Sequence, residues 1–191
     1  MAFNINKFKS NALLKGGARS SLFEVQITLP PAVINATGND ILDVTTSDLK
    51  LAQEDLIFLC KASSIPASSV GVIEIPYMGR KVNCVGSRTF EPWTITVIND
   101  ENFRVRKAFE HWLSVMNGHS SNFKKGVTSS PDTYQQTGVV RHFGQGGDLI
   151  RVYVLNNLFP TEVSTTELSW DNENTIEEFS VTLRYDYWDA G

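Results

Sequence analysis

The sequence predicts a mainly β protein, a sandwich or barrel-like subunit with one flanking amphipathic α-helix at an open side or end. Several segments alternate apolar and polar residues with the period of two that marks half-buried strands. One segment alone has the longer period of an amphipathic helix. Strand-like segments, about eight or nine in number, surround that single helix and show no internal repeat, a pattern typical of a sandwich or barrel.

The clearest strands lie near the two ends of the chain. Leu22 to Leu29 places four apolar residues on one face, and Phe179 to Trp188 alternates in the same way. Residues 76–80 have the composition of a tight turn and predict a hairpin between the strands on either side. The remaining strand-like segments are Leu56 to Ala62, Val70 to Ile75, Lys81 to Val85, Thr89 to Ile98, Val139 to Phe143, Leu149 to Leu155 and Glu167 to Trp170.

The helix is predicted from about Asp100 to Asn117, with Asn99 as its N-cap and Gly118 as a left-handed C-terminal residue. Helical spacing brings six apolar side chains onto one stripe that should pack on the sheet. These are Val105, Ala108, Phe109, Trp112, Leu113 and Met116. The other face should meet solvent or a neighbouring subunit, and it carries Arg104, Lys107, Glu110, His111 and Ser114.

Charge is distributed unevenly along the chain. The net charge is −4 overall, but residues 1–19 carry +4 and residues 161–191 carry −7. An acidic total argues against a dedicated nucleic-acid binder, whose affinity comes largely from Lys and Arg. Either these ends are a flexible arm and a solvated acidic face, or they join copies head to tail. The candidate residues for that contact are Lys7, Lys9, Lys15, Arg19, Glu173, Glu177 and Asp189.

The chain is expected to have a basic arm at 1–20 and a single domain at 21–191, with a long loop at about 30–55 and a polar loop at about 119–137. No histidine spacing suits a metal, and no nucleophile elbow is present. The sequence therefore indicates no catalytic, metal or cofactor site. Cys60 and Cys84 lie in alternating segments and are expected to be buried free thiols. Neither an export signal nor a membrane-spanning run is apparent.

Three stretches, at 21–25, 59–67 and 75–100, resemble the tail tube family of T-even-type contractile-tailed phages. The longest reads IPYMGRKVNCVGSRTFEPWTITVIND. Segments 158–161, 168–171 and 179–188 agree in order, so the resemblance covers about residues 21–189. The resemblance singles out the hairpin residues Pro76, Tyr77, Gly79, Arg80, Lys81, Gly86 and Arg88.

The resemblance implies a barrel-like subunit with its helix outside and its sheets continuing into neighbours around a hexameric ring. Stacked rings would form the inner tail tube, the conduit for the tape measure protein and genomic DNA, inside a contractile sheath and between baseplate and tail terminator proteins. The protein would belong to the virion, would assemble in the host cytoplasm, and would have no catalytic residues. The arm and segment 30–55 look like insertions relative to shorter members.

Two other functions remain open from the sequence. A phage-derived contractile injection or type VI secretion system would use the same architecture to export effectors. The aromatic-rich final strand also allows a β-barrel that binds a small ligand in its interior. For the tail tube, the acidic total favours an acidic or neutral lumen that does not hold phosphates.

Overall fold

The computed structural model describes residues 4–12, 16–36, 44–124 and 129–191. These residues form five helices and nine strands. The helices are α1 (Ile5–Ala12), α2 (Pro31–Ile34), α3 (Thr46–Leu59), α4 (Arg104–Met116) and α5 (Pro131–Tyr134). The strands are β1 (Phe23–Ile27), β2 (Cys60–Ser63), β3 (Ser69–Tyr77), β4 (Arg80–Thr89), β5 (Trp93–Ile98), β6 (Gln136–Phe143), β7 (Leu149–Val163), β8 (Glu178–Arg184) and β9 (Tyr187–Ala190). The prediction of a mainly β protein is confirmed.

Seven strands form one antiparallel sheet with the order β1-β6-β7-β8-β5-β2, and β9 pairs with β7. The 15-residue strand β7 organises this sheet, because its first part pairs with β6 and β9 and its last part pairs with β8. Strands β3 and β4 form a separate two-stranded hairpin. The sequence prediction of this hairpin is confirmed.

The core lies between the large sheet and the helices α3 and α4. Alternation places every second residue of β5 and β8 on the inner face, so Trp93, Ile95 and Val97 are buried opposite Leu183, Val181 and Phe179. Antiparallel pairs of large apolar side chains stabilise a sheet, and α4 covers them from the other side. The Trp93 indole donates a hydrogen bond of 2.9 Å to the carbonyl oxygen of Ser64, which satisfies its buried nitrogen.

Helix α3 was not predicted, because residues 30–55 were expected to be a loop and Leu56 to Ala62 a strand. Within the described part of that segment the chain instead forms α2 and the 14-residue helix α3, and it becomes extended only at Cys60. The Thr45 hydroxyl accepts from the Asp48 N–H and the Asp48 carboxylate accepts from the Thr45 N–H, a capping box that begins the helix. The Thr45 hydroxyl also donates to the Asp48 carboxylate. These bonds hold the pKa of Asp48 below its usual value.

Packing on the sheet also favours the helical conformation of this segment. Leu49, Ala52 and Leu56 lie on one face of α3 and are buried in the core. The Gln53 side-chain oxygen accepts a hydrogen bond of 3.0 Å from the Leu29 N–H and so links the helix to the end of the first strand. Tertiary contacts of this kind decide the conformation of a segment whose local pattern is ambiguous.

Helix α4 begins four residues later than predicted, and its N-cap was predicted wrongly. Phe103 adopts a left-handed conformation with φ of 55° and precedes the helix, while the Asp100 carboxylate accepts from the Arg104 N–H at 3.0 Å. Asn99 instead donates its side-chain amide to Glu177. At the other end the helix stops at Met116 with an extended cap residue, so the predicted left-handed Gly118 is also wrong.

The apolar stripe of α4 faces the core at Val105, Ala108, Phe109 and Trp112, whereas Leu113 and Met116 are half-buried. His111 and Ser114 were expected on the outer face, but both are buried. The reason is α2, which lies beside this face and brings the Val33 carbonyl oxygen within 3.0 Å of His111 Nε2. Arg104, Lys107 and Glu110 remain partly exposed.

The last third of the chain departs from its predicted strands in two places. The alternating segment Phe179 to Trp188 is two strands, β8 and β9, because the chain leaves the sheet at Tyr185 and Asp186. Residues 167–170 form no strand and belong to a long connection. In the polar segment 119–137 the described residues include the short helix α5, while residues 125–128 lie outside the described part. No helix of the described residues is long and apolar enough to cross a membrane.

Candidate functional site

The core of the described structure is closely packed. The hollow between the sheet and the two long helices, lined by Leu29, Leu56 and Phe109, has a volume of about 10 Å³. A single water needs about 10–15 Å³, so this hollow has no room for an organic ligand. No three His, Cys, Asp or Glu side chains of the described residues converge as a metal site would require.

The hairpin β3–β4 is exposed along its whole length and has two different faces. Its register places Ile73 opposite Cys84, Ile75 opposite Val82 and Tyr77 opposite Arg80 on one face. We call the five residues other than Arg80 the apolar hairpin face. Each is exposed, and Ile75 and Val82 are about half accessible. An uncovered apolar surface of this kind is rare on monomeric proteins and marks a contact with another chain.

The opposite face, which we call the polar hairpin face, carries its charges near the turn. Glu74 lies on it opposite Asn83, and Lys81 forms an ion pair with Glu74. Val72 and Val85 pair on this same face nearer the base of the hairpin, and both are exposed. Near its turn the hairpin is therefore suited to lie with the apolar hairpin face against protein and the charged pair towards water.

Glycines fix the shape of this hairpin at two positions. Met78 and Gly79 both have positive φ, 42° and 81°, as a two-residue type I′ hairpin turn requires. At the register shift near Val70 a Cβ on Gly86 would lie 2.9 Å from the backbone of Gly71, so no larger residue fits there. The other residues that the resemblance singled out, Pro76, Tyr77, Arg80, Lys81 and Arg88, all lie on the same hairpin.

The two cysteines occupy opposite environments, and the expectation that both are buried is wrong for Cys84. Cys60 is buried and Cys84 is exposed on the apolar hairpin face, and neither forms a disulfide. Burial raises the pKa of the Cys60 thiol to about 12, although a backbone hydrogen bond with Ala62 opposes the shift. Because thiolate is the reactive form, Cys60 is protected both by position and by protonation.

We therefore expect one fast-reacting thiol per native subunit at pH 8, titrated with a chromogenic disulfide reagent. Cys84→Ser should remove the fast phase, and Cys60→Ser should leave it unchanged. Denaturation should expose a second thiol in the wild-type chain. Two equally fast thiols in the native subunit would contradict the buried position of Cys60.

The basic arm begins with α1, whose described side chains are all exposed. Asn4 caps this helix by accepting from the N–H groups of Asn6 and Lys7 at 3.0 and 3.2 Å. Lys7 and Lys9 project into solvent, whereas Lys15 lies outside the described residues. With the Gln145 amide oriented so that its oxygen faces Arg19, that oxygen accepts from the guanidinium at 3.0 and 3.2 Å. The arm therefore passes beside the β6–β7 turn of its own subunit.

The connection between β7 and β8, residues 164–177, is an acidic loop with an apolar component. It carries four acidic residues and no basic one. These are Glu167, Asp171, Glu173 and Glu177. Leu168, Trp170 and Ile176 are exposed on the same loop, and the Trp170 side chain is 99% accessible.

Hydrogen bonds fix both ends of the acidic loop, one end to α4 and the other to Asn99, the residue that follows β5. Arg106 donates to the Ser164 carbonyl oxygen at 3.3 Å and to the Thr166 hydroxyl at 2.9 Å. At the other end of the loop the backbone N–H of Asn99 donates to the Glu177 carbonyl oxygen at 2.9 Å. The side-chain amide of Asn99 donates to the Glu177 carboxylate at 3.0 Å. The loop is therefore presented by a rigid base while its tip projects from the body.

The structure separates the acidic candidates that the sequence grouped together. Glu173 and Glu177 lie in the acidic loop, but Asp189 lies on β9 beside the middle of β7. There the Asn156 side-chain amide donates to the Asp189 carboxylate at 3.0 Å. Asp189 therefore lies beside the middle of β7, whereas the acidic loop follows the end of that strand.

The basic and acidic surfaces lie at opposite ends of β7. The arm passes beside the turn just before Leu149, and the acidic loop begins just after Val163. Together with the uncovered apolar hairpin face, this arrangement defines a structural subunit that is completed by contacts with other chains. The opposite charges at its two ends suit head-to-tail association.

Comparison with known proteins identifies the family. The chain belongs to the phage tail tube protein family, whose model matches residues 18–190. It is 36% identical over 137 residues to the tail tube protein gp19 of Enterobacteria phage T4, which covers 71% of this chain and 82% of that protein. It is also 26% identical over 183 residues to the tail tube protein of Serratia phage KSP90, with 95% and 93% covered. The chain is therefore a structural component of a virion tail.

Solved structures share the fold at low sequence identity. A chain of the anti-feeding prophage baseplate matches with a TM-score of 0.57 at 13% identity and covers 92% of this chain and 95% of its own length. A chain of the sheath-tube complex of the extracellular contractile injection system PVC matches with a TM-score of 0.54 at 13% identity, covering 100% and 99%. These likenesses agree with the predicted fold class.

Proposed function

We propose that this tail tube protein forms hexameric rings that stack into the inner tube of a contractile tail. The tape measure protein and then genomic DNA pass through that tube. The observation that carries the proposal is the apolar hairpin face, which has no cover within the subunit and lies in the segment that most resembles the family. A subunit that exposes Ile73, Ile75 and Val82 together needs a neighbour to bury them.

The ring is closed when the hairpin of one subunit packs on the sheet of the next. Isolated two-stranded hairpins are marginally stable in water, so this one gains stability from packing on a larger sheet. The large sheet ends in the short strands β1 and β2, which lie near each other and pair with no further strand among the described residues. Burial of the apolar hairpin face leaves Glu74, Lys81 and Asn83 on the side towards water.

The electrostatics of the chain suit a conduit that DNA slides through. The net charge is −4, and the hairpin's polar face pairs its Lys81 with Glu74. Phosphates are held by unpaired Lys and Arg, and paired charges hold them weakly. We infer that the wall of the lumen is neutral or acidic and makes no sequence-specific contact with DNA.

The remaining partners follow from the same assembly. A sheath protein would surround the tube, and baseplate and terminator proteins would contact its two ends. The matching chains from a sheath-tube complex and a baseplate support these partners through their common fold. Assembly would take place in the host cytoplasm.

Electron microscopy of the purified full-length chain tests the proposal. We expect rings or hollow rods with sixfold end views in negative stain. Cys84 should react rapidly in dissociated subunits and slowly in rods, because the apolar hairpin face becomes covered. A chain that remains monomeric, or forms only small closed oligomers, at concentrations above those in an infected cell would contradict the proposal.

A further inference from the structure

We propose that α1 of one subunit docks on the acidic loop of the next subunit along the tube, with Ile5 and Phe8 against Trp170 and its apolar neighbours. This inference rests on the proposed stacking of rings and names the segments that join them. Two unpartnered surfaces of the described structure carry it, one at each end of β7. Each surface combines apolar side chains with charged ones, and the positive charge of α1 is opposite to the negative charge of the acidic loop.

Helix α1 has the properties of a segment that requires a partner. Its described side chains are exposed, including Ile5 and Phe8, which are 66% and 56% accessible. An isolated helix of eight residues is marginal in water, even with the cap that Asn4 supplies. Packing of its apolar stripe on another surface would stabilise it.

The acidic loop offers a surface of matching character. An open hollow of about 530 Å³ lies within it and is lined by Leu168, Trp170 and Ile176 together with Glu167 and Glu177. None of these three apolar side chains is covered in the subunit. An amphipathic helix binds such a groove through residues at the i and i+3 positions, which is the spacing of Ile5 and Phe8.

The partner must be another subunit because the arm of the same chain cannot reach the loop. Arg19 lies beside the start of β7. The seven residue steps from Ala12 to Arg19 span at most about 25 Å and the eight residues of α1 add about 12 Å, which together fall short of the distance of about 46 Å along the fourteen extended steps from Leu149 to Val163. In a stack of rings the arm end of one subunit faces the loop end of the next.

The helix geometry distinguishes its two lysines. Lys9 lies four residues after Ile5 and therefore flanks the apolar stripe, while Lys7 projects towards the opposite side. When the stripe faces the hollow, Lys9 comes close to the acidic side chains that line it, Glu167 among them. Lys7 stays in solvent, where screening over about 8–10 Å weakens its interaction with the loop.

Charge reversal at these two lysines is the sharpest test, because both variants change the net charge equally. With the full-length chain, Lys9→Glu and Phe8→Asp should each lower the mass of stacked tubes about tenfold and leave single rings intact. Lys7→Glu should change it less than about twofold. Glu167→Lys combined with Lys9→Glu should restore stacking in part. Equal effects of Lys7→Glu and Lys9→Glu would overturn the proposed helix orientation.

Cross-linking tests the contact directly. In a Cys84→Ser background, mixing Lys9→Cys chains with Ser169→Cys chains should give linked pairs with a short bismaleimide, and Lys7→Cys should give far fewer. Two results together would overturn this inference but not the proposed tube function. The Phe8→Asp and Lys9→Glu variants would form normal tubes, and the cysteine variants would give no cross-links. A wild-type chain that forms neither rings nor rods would instead contradict the proposed function.

Discussion

Replacement of Trp112 by Ala is expected to destabilise the subunit by about 3–5 kcal/mol and to reduce the amount of folded subunit that is available for assembly. Trp112 is fully buried between α4 and the sheet, and its ring stacks on Phe109 with centroids 6.4 Å apart. Its indole N–H donates to the Tyr134 carbonyl oxygen at 2.9 Å, so truncation also leaves that oxygen without its donor. Domains are stable by only about 5–15 kcal/mol, so the loss is a large share of the total.

Denaturant-induced unfolding followed by circular dichroism measures this effect. Lys107→Ala is the matched control, since Lys107 lies on the partly exposed side of the same helix and should change stability by less than about 0.5 kcal/mol. Soluble Trp112→Ala protein with a wild-type unfolding midpoint would show that the helix stripe is not part of the core.

The sequence predicts best those elements in which local pattern and tertiary burial agree. In β1, β5 and β8 one face packs on the core and the other is more accessible, so alternation identifies them. The same agreement identifies α4 from the spacing of Val105, Phe109 and Trp112. Each of these elements has one side covered and one side open, which is the condition under which periodicity is informative.

Helix α3 shows what a pattern cannot decide alone. Phe58, Cys60 and Ala62 alternate like a strand, yet Phe58 is at the end of a helix and is exposed. The residues of the capping box, Thr45 and Asp48, were the sequence signal for this helix. That signal alone does not establish a helix, and the contacts of α3 with Leu29 and α4 stabilise it. His111 and Ser114 were misplaced for the same reason, since α2 covers a face of α4 that the sequence leaves open.

The candidate surfaces were predicted in part from charge. The basic arm and the acidic end are visible in the sequence, because charge is counted without knowledge of the fold. That Asp189 lies apart from Glu173 follows only from the pairing of β9 with β7. The two faces of the hairpin could not be predicted, because the apolar run from Val70 to Ile75 is nearly continuous and only the register assigns each residue a side.

The register of the β3–β4 hairpin also predicts the second large effect of a substitution, which is on ring formation. Val82→Asp should abolish ring formation while leaving the subunit folded, because Val82 lies on the apolar hairpin face beside Ile75 and is half exposed in the subunit. Covering an unpaired carboxylate in an interface costs several kcal/mol. Since each 1.4 kcal/mol is a factor of ten, association should weaken more than about a hundredfold at every contact.

The adjacent residue provides the control. Asn83→Asp adds the same charge to the same strand but on the polar hairpin face, opposite Glu74. Repulsion between two water-exposed carboxylates costs at most about 1 kcal/mol, so rings should still form. Analytical ultracentrifugation of both variants, with their melting temperatures, separates an interface effect from unfolding. If Val82→Asp assembles as well as Asn83→Asp, then the apolar hairpin face is not the surface that neighbouring subunits cover.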